Sequence, residues 1–139
     1  MKKYLTLLIL VAAPFVHTIA AAEGIIVVAN TTDNSIQLNR QQVRNLFMGG
    51  VIPYDLTAVS LPPDNRTRVL FNTKVVGLTE ARIQSYWAQM RFTGRKRAPR
   101  EVNNESLLLD YLKESKGAVG YLPASATLPK ELTVIYKID

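Results

Sequence analysis

The sequence predicts one α/β domain of three layers, a sheet between helices. Short β-branched apolar runs alternate with longer segments of helical period, and most of those segments open on a capping residue and close on glycine. The order this implies is β-α-β-α-α-α-β-β, without internal repeats, low-complexity tracts or a linker.

Ile25-Ile26-Val27-Val28-Ala29 is a continuous apolar run of strand length and reads as a buried first strand. After a polar turn over Asn30 to Asn34, Asn39 and Gln42 form a capping-box pattern for a first helix. Val43, Leu46 and Phe47 would be its inner face and Gly49-Gly50 its stop. Thr57 to Leu61 is a second strand ended by Pro62-Pro63, and a helix begins at Asn65 or Arg66 and runs to Val76, before Gly77. Thr79 caps the next helix, whose Ile83, Tyr86, Trp87 and Met90 stand at i, i+3, i+4 and i+7. Phe92 to Glu101 reads as a basic loop. A last helix is capped by Asn103 or Asn104 and carries Leu108, Tyr111 and Leu112 on one face, with Gly117 as its stop. Strands over Ala118 to Leu122 and Leu132 to Lys137 complete the domain.

The N-terminus has its own pattern. Met1-Lys2-Lys3 is basic, Tyr4 to Val16 is apolar except at Thr6 and Pro14, and Ala20-Ala21-Ala22 meets the small-x-small rule for cleavage. This is the layout of a secretory signal peptide, which puts residues 1–22 outside the domain, the domain at 23–139, and the protein in the periplasm or secreted. The competing reading is a membrane anchor, for which the apolar stretch falls short of the roughly 20 residues a span needs. No stable membrane anchor is therefore expected.

Composition removes most chemistry. The chain has no cysteine, and its one histidine, His17, lies before Ala22. Thiol and histidine catalysis, disulfides and nearly all zinc, copper or haem sites are excluded from Glu23 onward. No loop has calcium-binding spacing, so no metal, no cofactor and no enzyme activity is expected. With 17 Lys plus Arg against 11 Asp plus Glu, the net charge of +6 points to an anionic partner. Nucleic acid is not that partner, because neither a base-stacking aromatic ladder nor a recognition-helix pattern accompanies the charge.

Two segments are candidates for binding. Asn65, Arg66, Thr67 and Arg68 follow a strand end and open a helix, where exposed N–H groups, a hydroxyl and a charge would hold an oxyanion. Asp64 or Asn65 as a plain N-cap explains the same residues. Arg91, Arg95, Lys96, Arg97 and Arg100 lie within ten residues and form either an anion-binding face or a solvated loop. Glu101 with Glu105, and Asp110 with Glu114, stand at i, i+4 and read as solvent-facing helix charges.

Four segments together resemble the phosphate-binding proteins of ABC transporters, of the type 2 periplasmic-binding fold. They are Ile26-Val27-Val28-Ala29-Asn30, Leu38 to Gly49 (L-x-x-x-x-V-x-x-L-F-x-G), Tyr86 to Gly94 with Pro99-Arg100-Glu101-Val102, and Gly117-Ala118-Val119-Gly120-Tyr121. The resemblance spans nearly all of the chain after Ala22 and implies a short relative with a single lobe. In the receptors a serine-glycine-threonine element at a helix start grips phosphate. The matching stretch is Asn65-Arg66-Thr67, which keeps the threonine, while the receptor arginine and aspartate just upstream fall near Leu61 and Pro63. The implied function is non-catalytic binding of phosphate or another small oxyanion at Asn65–Arg68. The alternative is an envelope module that has lost its ligand and docks a protein, a permease or an acidic polymer through the basic loop.

Overall fold

The structure, a computed structural model, describes residues 12–16 and 23–139. The expected cleavage site at Ala20-Ala21-Ala22 and most of the apolar stretch before it lie outside the described residues.

The elements are β1 (Ile25–Ala29), α1 (Arg40–Phe47), β2 (Thr57–Ser60), α2 (Arg66–Phe71), a π-helical segment (Asn72–Val76), α3 (Glu80–Thr93), β3 (Arg100–Glu101), α4 (Glu105–Glu114), β4 (Ala118–Pro123) and β5 (Thr133–Ile138). They form one five-stranded sheet in the order β3-β2-β4-β1-β5. β2 runs parallel to β3 and β4, and β1 runs antiparallel to β4 and β5.

The helices lie on both sides of the sheet, as neighbouring residues of β4 demonstrate. Successive strand side chains point to opposite faces. Tyr121 stacks on Phe71 of α2 at 4.1 Å and lies 5.5 Å from Phe47 of α1. A Cβ on the adjacent Gly120 would stand 2.9 Å from Leu108 of α4. Thus α1 and α2 cover one face and α4 the other, and β1 between them is buried at every residue.

Capping follows the sequence closely. Asn39 and Gln42 exchange both bonds of a capping box, and Thr79 and Asn104 each accept an N–H from the third residue of their helices. Three features depart from expectation. The segment after α2 closes as a π-helix, with the Gly77 N–H donating to Asn72 O at 2.7 Å. The wider turn keeps Phe71, Asn72, Val75 and Val76 all buried. α3 continues to Thr93, because Gly94 at φ +68° is its C-cap, so Arg91 belongs to a helix and not to the basic loop. Arg100 and Glu101 form β3, paired with Val59 and Ser60, so Glu101 does not share a helix with Glu105.

Gly77 ends the π-helical segment at φ +74°, and a Cβ there would meet only Arg40 Nη2, at 3.5 Å. Gly77→Ala is therefore expected to cost about 1–2 kcal/mol through backbone strain alone. Chemical denaturation checks it, and Gly77→Asn should cost less because asparagine tolerates this conformation.

The outer edge of β5 is covered at Val134 and Ile135. Leu38 N–H donates to Ile135 O at 2.8 Å and the Gln37 side chain to Val134 O at 3.3 Å. Both bonds use up acceptors that an edge strand otherwise offers to another chain.

Candidate functional site

β2 ends at Ser60, the chain turns through Pro62-Pro63-Asp64, and α2 starts beside the end of the strand. Asn65 caps the helix: its Oδ1 accepts the N–H of Thr67 at 2.8 Å and of Arg68 at 3.3 Å. Thr67 is buried, and its hydroxyl donates to Glu105 Oε1 at 2.6 Å. Arg66 is exposed, its Nη2 3.8 Å from Glu23 Oε2.

Arg68 is the centre of the region and is 6% exposed. It holds Glu80 with two bonds, Nε to Oε1 at 2.6 Å and Nη2 to Oε2 at 2.8 Å. Its Nη1 donates to Leu61 O at 2.7 Å, and to Ser60 Oγ and Glu101 Oε2 at 3.3 Å each. Glu80 also accepts from Asn72 and Gln84. Tyr121 Oη accepts the Leu61 N–H at 3.0 Å and shares a hydrogen with Ser60 Oγ at 2.8 Å.

Burial opposes the charge on Arg68, but the hydrogen bonds and charge of Glu80 outweigh it and hold the guanidinium above its ordinary value. Burial likewise opposes the Glu80 charge, and the bonds from Arg68 and Gln84, with the Arg68 charge, bring its carboxyl below the usual value. The Tyr121 phenol is pushed up by burial despite its two hydrogen bonds. Every charge in this knot has an opposite partner, as buried charge requires.

Above the knot lies a cavity of about 410 Å³, lined by Ser60, Arg68, Asn72, Trp87, Arg91 and Glu101 among others. The basic cluster of the sequence is divided. Arg91 faces this cavity, whereas Arg97 and Arg100 line a second one. Arg100 also lies over the Tyr111 ring at 5.1 Å, Lys96 packs beside Gly49, and Arg95 is exposed. Among the described residues no group of three acidic, His or Cys side chains could hold a metal ion.

Sequence reasoning singled out Thr67 and Arg68 but missed Ser60, Glu80, Glu101 and Tyr121 around the arginine and Glu105 on the threonine. Glu80 in a first helical turn carries the signal of a dipole partner, not of a buried ion pair.

No family model matches the chain, and no curated relative does. Solved structures do. An ABC-type phosphate transport receptor from Vibrio cholerae superposes with a TM-score of 0.60 at 18% identity, over 81% of this chain and 45% of the receptor. A phosphate ABC transporter substrate-binding protein from Clostridium perfringens, with bound phosphate, gives 0.62 at 13% identity, over 81% and 44%. The fold is that of a single domain of phosphate-binding proteins. PstS from Borrelia burgdorferi gives 0.53 at 5% identity, over 73% of this chain and 41% of that one. The chain thus spans less than half the length of each, and at these identities the likeness is one of fold.

Proposed function

We propose that the chain is an exported, non-catalytic binding protein that holds phosphate or another small oxyanion at the start of α2, through Thr67 and Arg68 with Asn65 and Arg66 beside them. The fold supports this reading, since the similar structures are described as phosphate receptors and one contains phosphate. The N-terminal sequence pattern supports export, and no helix among the described residues is long and apolar enough to cross a membrane.

One observation carries the site. Thr67 Oγ1 and Arg68 Nη1, the donors best suited to an oxyanion, each already hold a carboxylate, from Glu105 and Glu101. Asn65 satisfies the backbone N–H groups of Thr67 and Arg68, so an incoming anion would be gripped by side chains. It would exchange with the glutamates, anion for anion. Such an exchange yields weak affinity, on the order of 0.1–1 mM.

Calorimetry against phosphate at constant ionic strength tests this. Binding should be lost in Thr67→Val and tightened in Glu105→Gln, which removes the competing charge while keeping the shape. At 100 times its dissociation constant phosphate should add roughly 2.7 kcal/mol of stability. A flat melting temperature up to tens of millimolar phosphate, in both the parent and Glu105→Gln, would remove the oxyanion site.

A further inference from the structure

The second cavity, about 470 Å³, lies along the outer edge of β2, where β3 pairs only with Val59 and Ser60. About half of its surface is apolar, from side chains that include Leu46 of α1, Ile52 and Leu56 of the loop into β2, and Trp87 of α3. Val51, 91% exposed, stands at its mouth. The only charged side chains lining it are Arg97 and Arg100, with no carboxylate among them. Neither arginine forms an ion pair among the described residues. The contrast with the first cavity is chemical. There Glu101 shares the lining with Arg68 and Arg91, and Glu80 neutralises Arg68; here two arginines stand with no carboxylate, beside apolar side chains.

We propose that this second cavity binds a small amphiphilic carboxylate, its hydrocarbon body against Leu46, Ile52, Leu56 and Trp87 and its head on Arg97 and Arg100. The volume, and the mix of apolar side chains with a few polar groups, are those of small-molecule sites. Charge complementarity selects the head: two arginines match a carboxylate, and with no acid in the lining an anion meets no repulsion. The apolar walls select the body, because inorganic phosphate would leave them wet. The site shares no donor with Thr67 and Arg68, so it stands whether or not phosphate binds there.

The chain contains one tryptophan, Trp87, which lines both cavities, so its fluorescence reports binding and the arginine variants and phosphate competition assign it to this one. Hexanoate, octanoate and decanoate are titrated into the protein at constant ionic strength, with octanol as the uncharged counterpart. A saturable change in emission is expected, with the dissociation constant falling roughly 4-fold per added methylene. Octanoate should bind more tightly than octanol, and Arg97→Gln/Arg100→Gln should weaken octanoate by about tenfold while leaving octanol unchanged. Val51→Glu, at an exposed position where folding is not at stake, should also weaken octanoate by repulsion. Phosphate should not displace it.

Four results would each overturn the proposal: no saturable response up to ~10 mM decanoate, octanol binding as well as octanoate, no effect of the arginine substitutions, or displacement by phosphate, which would put the ligand in the Arg68 cavity. A dimer in sedimentation that Val51→Glu dissociates and octanoate does not would instead assign the groove to a second copy of this chain.

Discussion

Arg68→Met is expected to destabilise the domain by about 3–5 kcal/mol, the range for breaking a buried ion pair from one side. The arginine side chain is 8% exposed and its main partner Glu80 is 27% exposed, so solvent can rescue little of the abandoned charge. Leu61 O and Ser60 Oγ lose a donor in the same step. Glu101, 43% exposed, is released to water and contributes little to the loss. Against a typical stability of about 5–15 kcal/mol this is a large share, and it corresponds to a fall in melting temperature of roughly 10–20 °C for a domain of this size.

The pH dependence identifies the cause. The Glu80 carboxyl lies below its ordinary value of 4.5 in the folded protein, so in acid the unfolded chain binds the proton first. Its contribution is therefore complete above that ordinary value and is lost as the pH falls through the lower, folded one. In Arg68→Met the largest remaining influence on Glu80 is burial, which acts in the opposite direction, so its part of the acid slope should vanish or reverse. Thermal melts of both proteins between pH 3 and 7 check this. A variant within 1 kcal/mol of the parent, with an unchanged slope, would mean that the knot is not a stabilising unit.

Tyr121 should give the second large effect, and it can be divided into two parts. Tyr121→Phe keeps the ring on Phe71 and Phe47 but leaves the buried Leu61 N–H without its acceptor, at about 1–3 kcal/mol. Tyr121→Ala also empties the ring's place between sheet and helices, and aromatic-to-alanine changes in cores cost about 3–5 kcal/mol for that alone. The difference between the two variants, read from urea midpoints at constant slope, measures the packing part. Equal losses would assign the whole effect to the hydroxyl.

Much of the framework was legible because its determinants are local. The caps at Asn39, Thr79 and Asn104 and the apolar run of β1 act within a few residues. Gly94 carried a readable signal too, the glycine just past a helix end, but the charges around it drew the reading toward a loop. The two residues of β3 are too few to show a period and exist because β2 lies beside them. The candidate site was legible only as a start point. Asn65 and Arg68 can be seen as helix-start residues, but the partners of Arg68 and Thr67 stand 12, 33 and 38 positions away. Nothing local in Glu80, Glu101 or Glu105 says which cation or hydroxyl each will meet.

The position of β1 in the sheet has a kinetic consequence. Its neighbours are β4 and β5, which pair Ile25 with Pro123 on one side and with Ile138 on the other. The first strand of the domain therefore has no sheet partner until the last strands have been synthesised. Closing loops of this length costs entropy before any ladder bond is gained, and folds dominated by such distant pairings take on the order of milliseconds to seconds. A growing chain can form α1 and α3 early, but it commits to the sheet only near completion, and until then the apolar run Ile25–Ala29 stays open to whatever else will cover it.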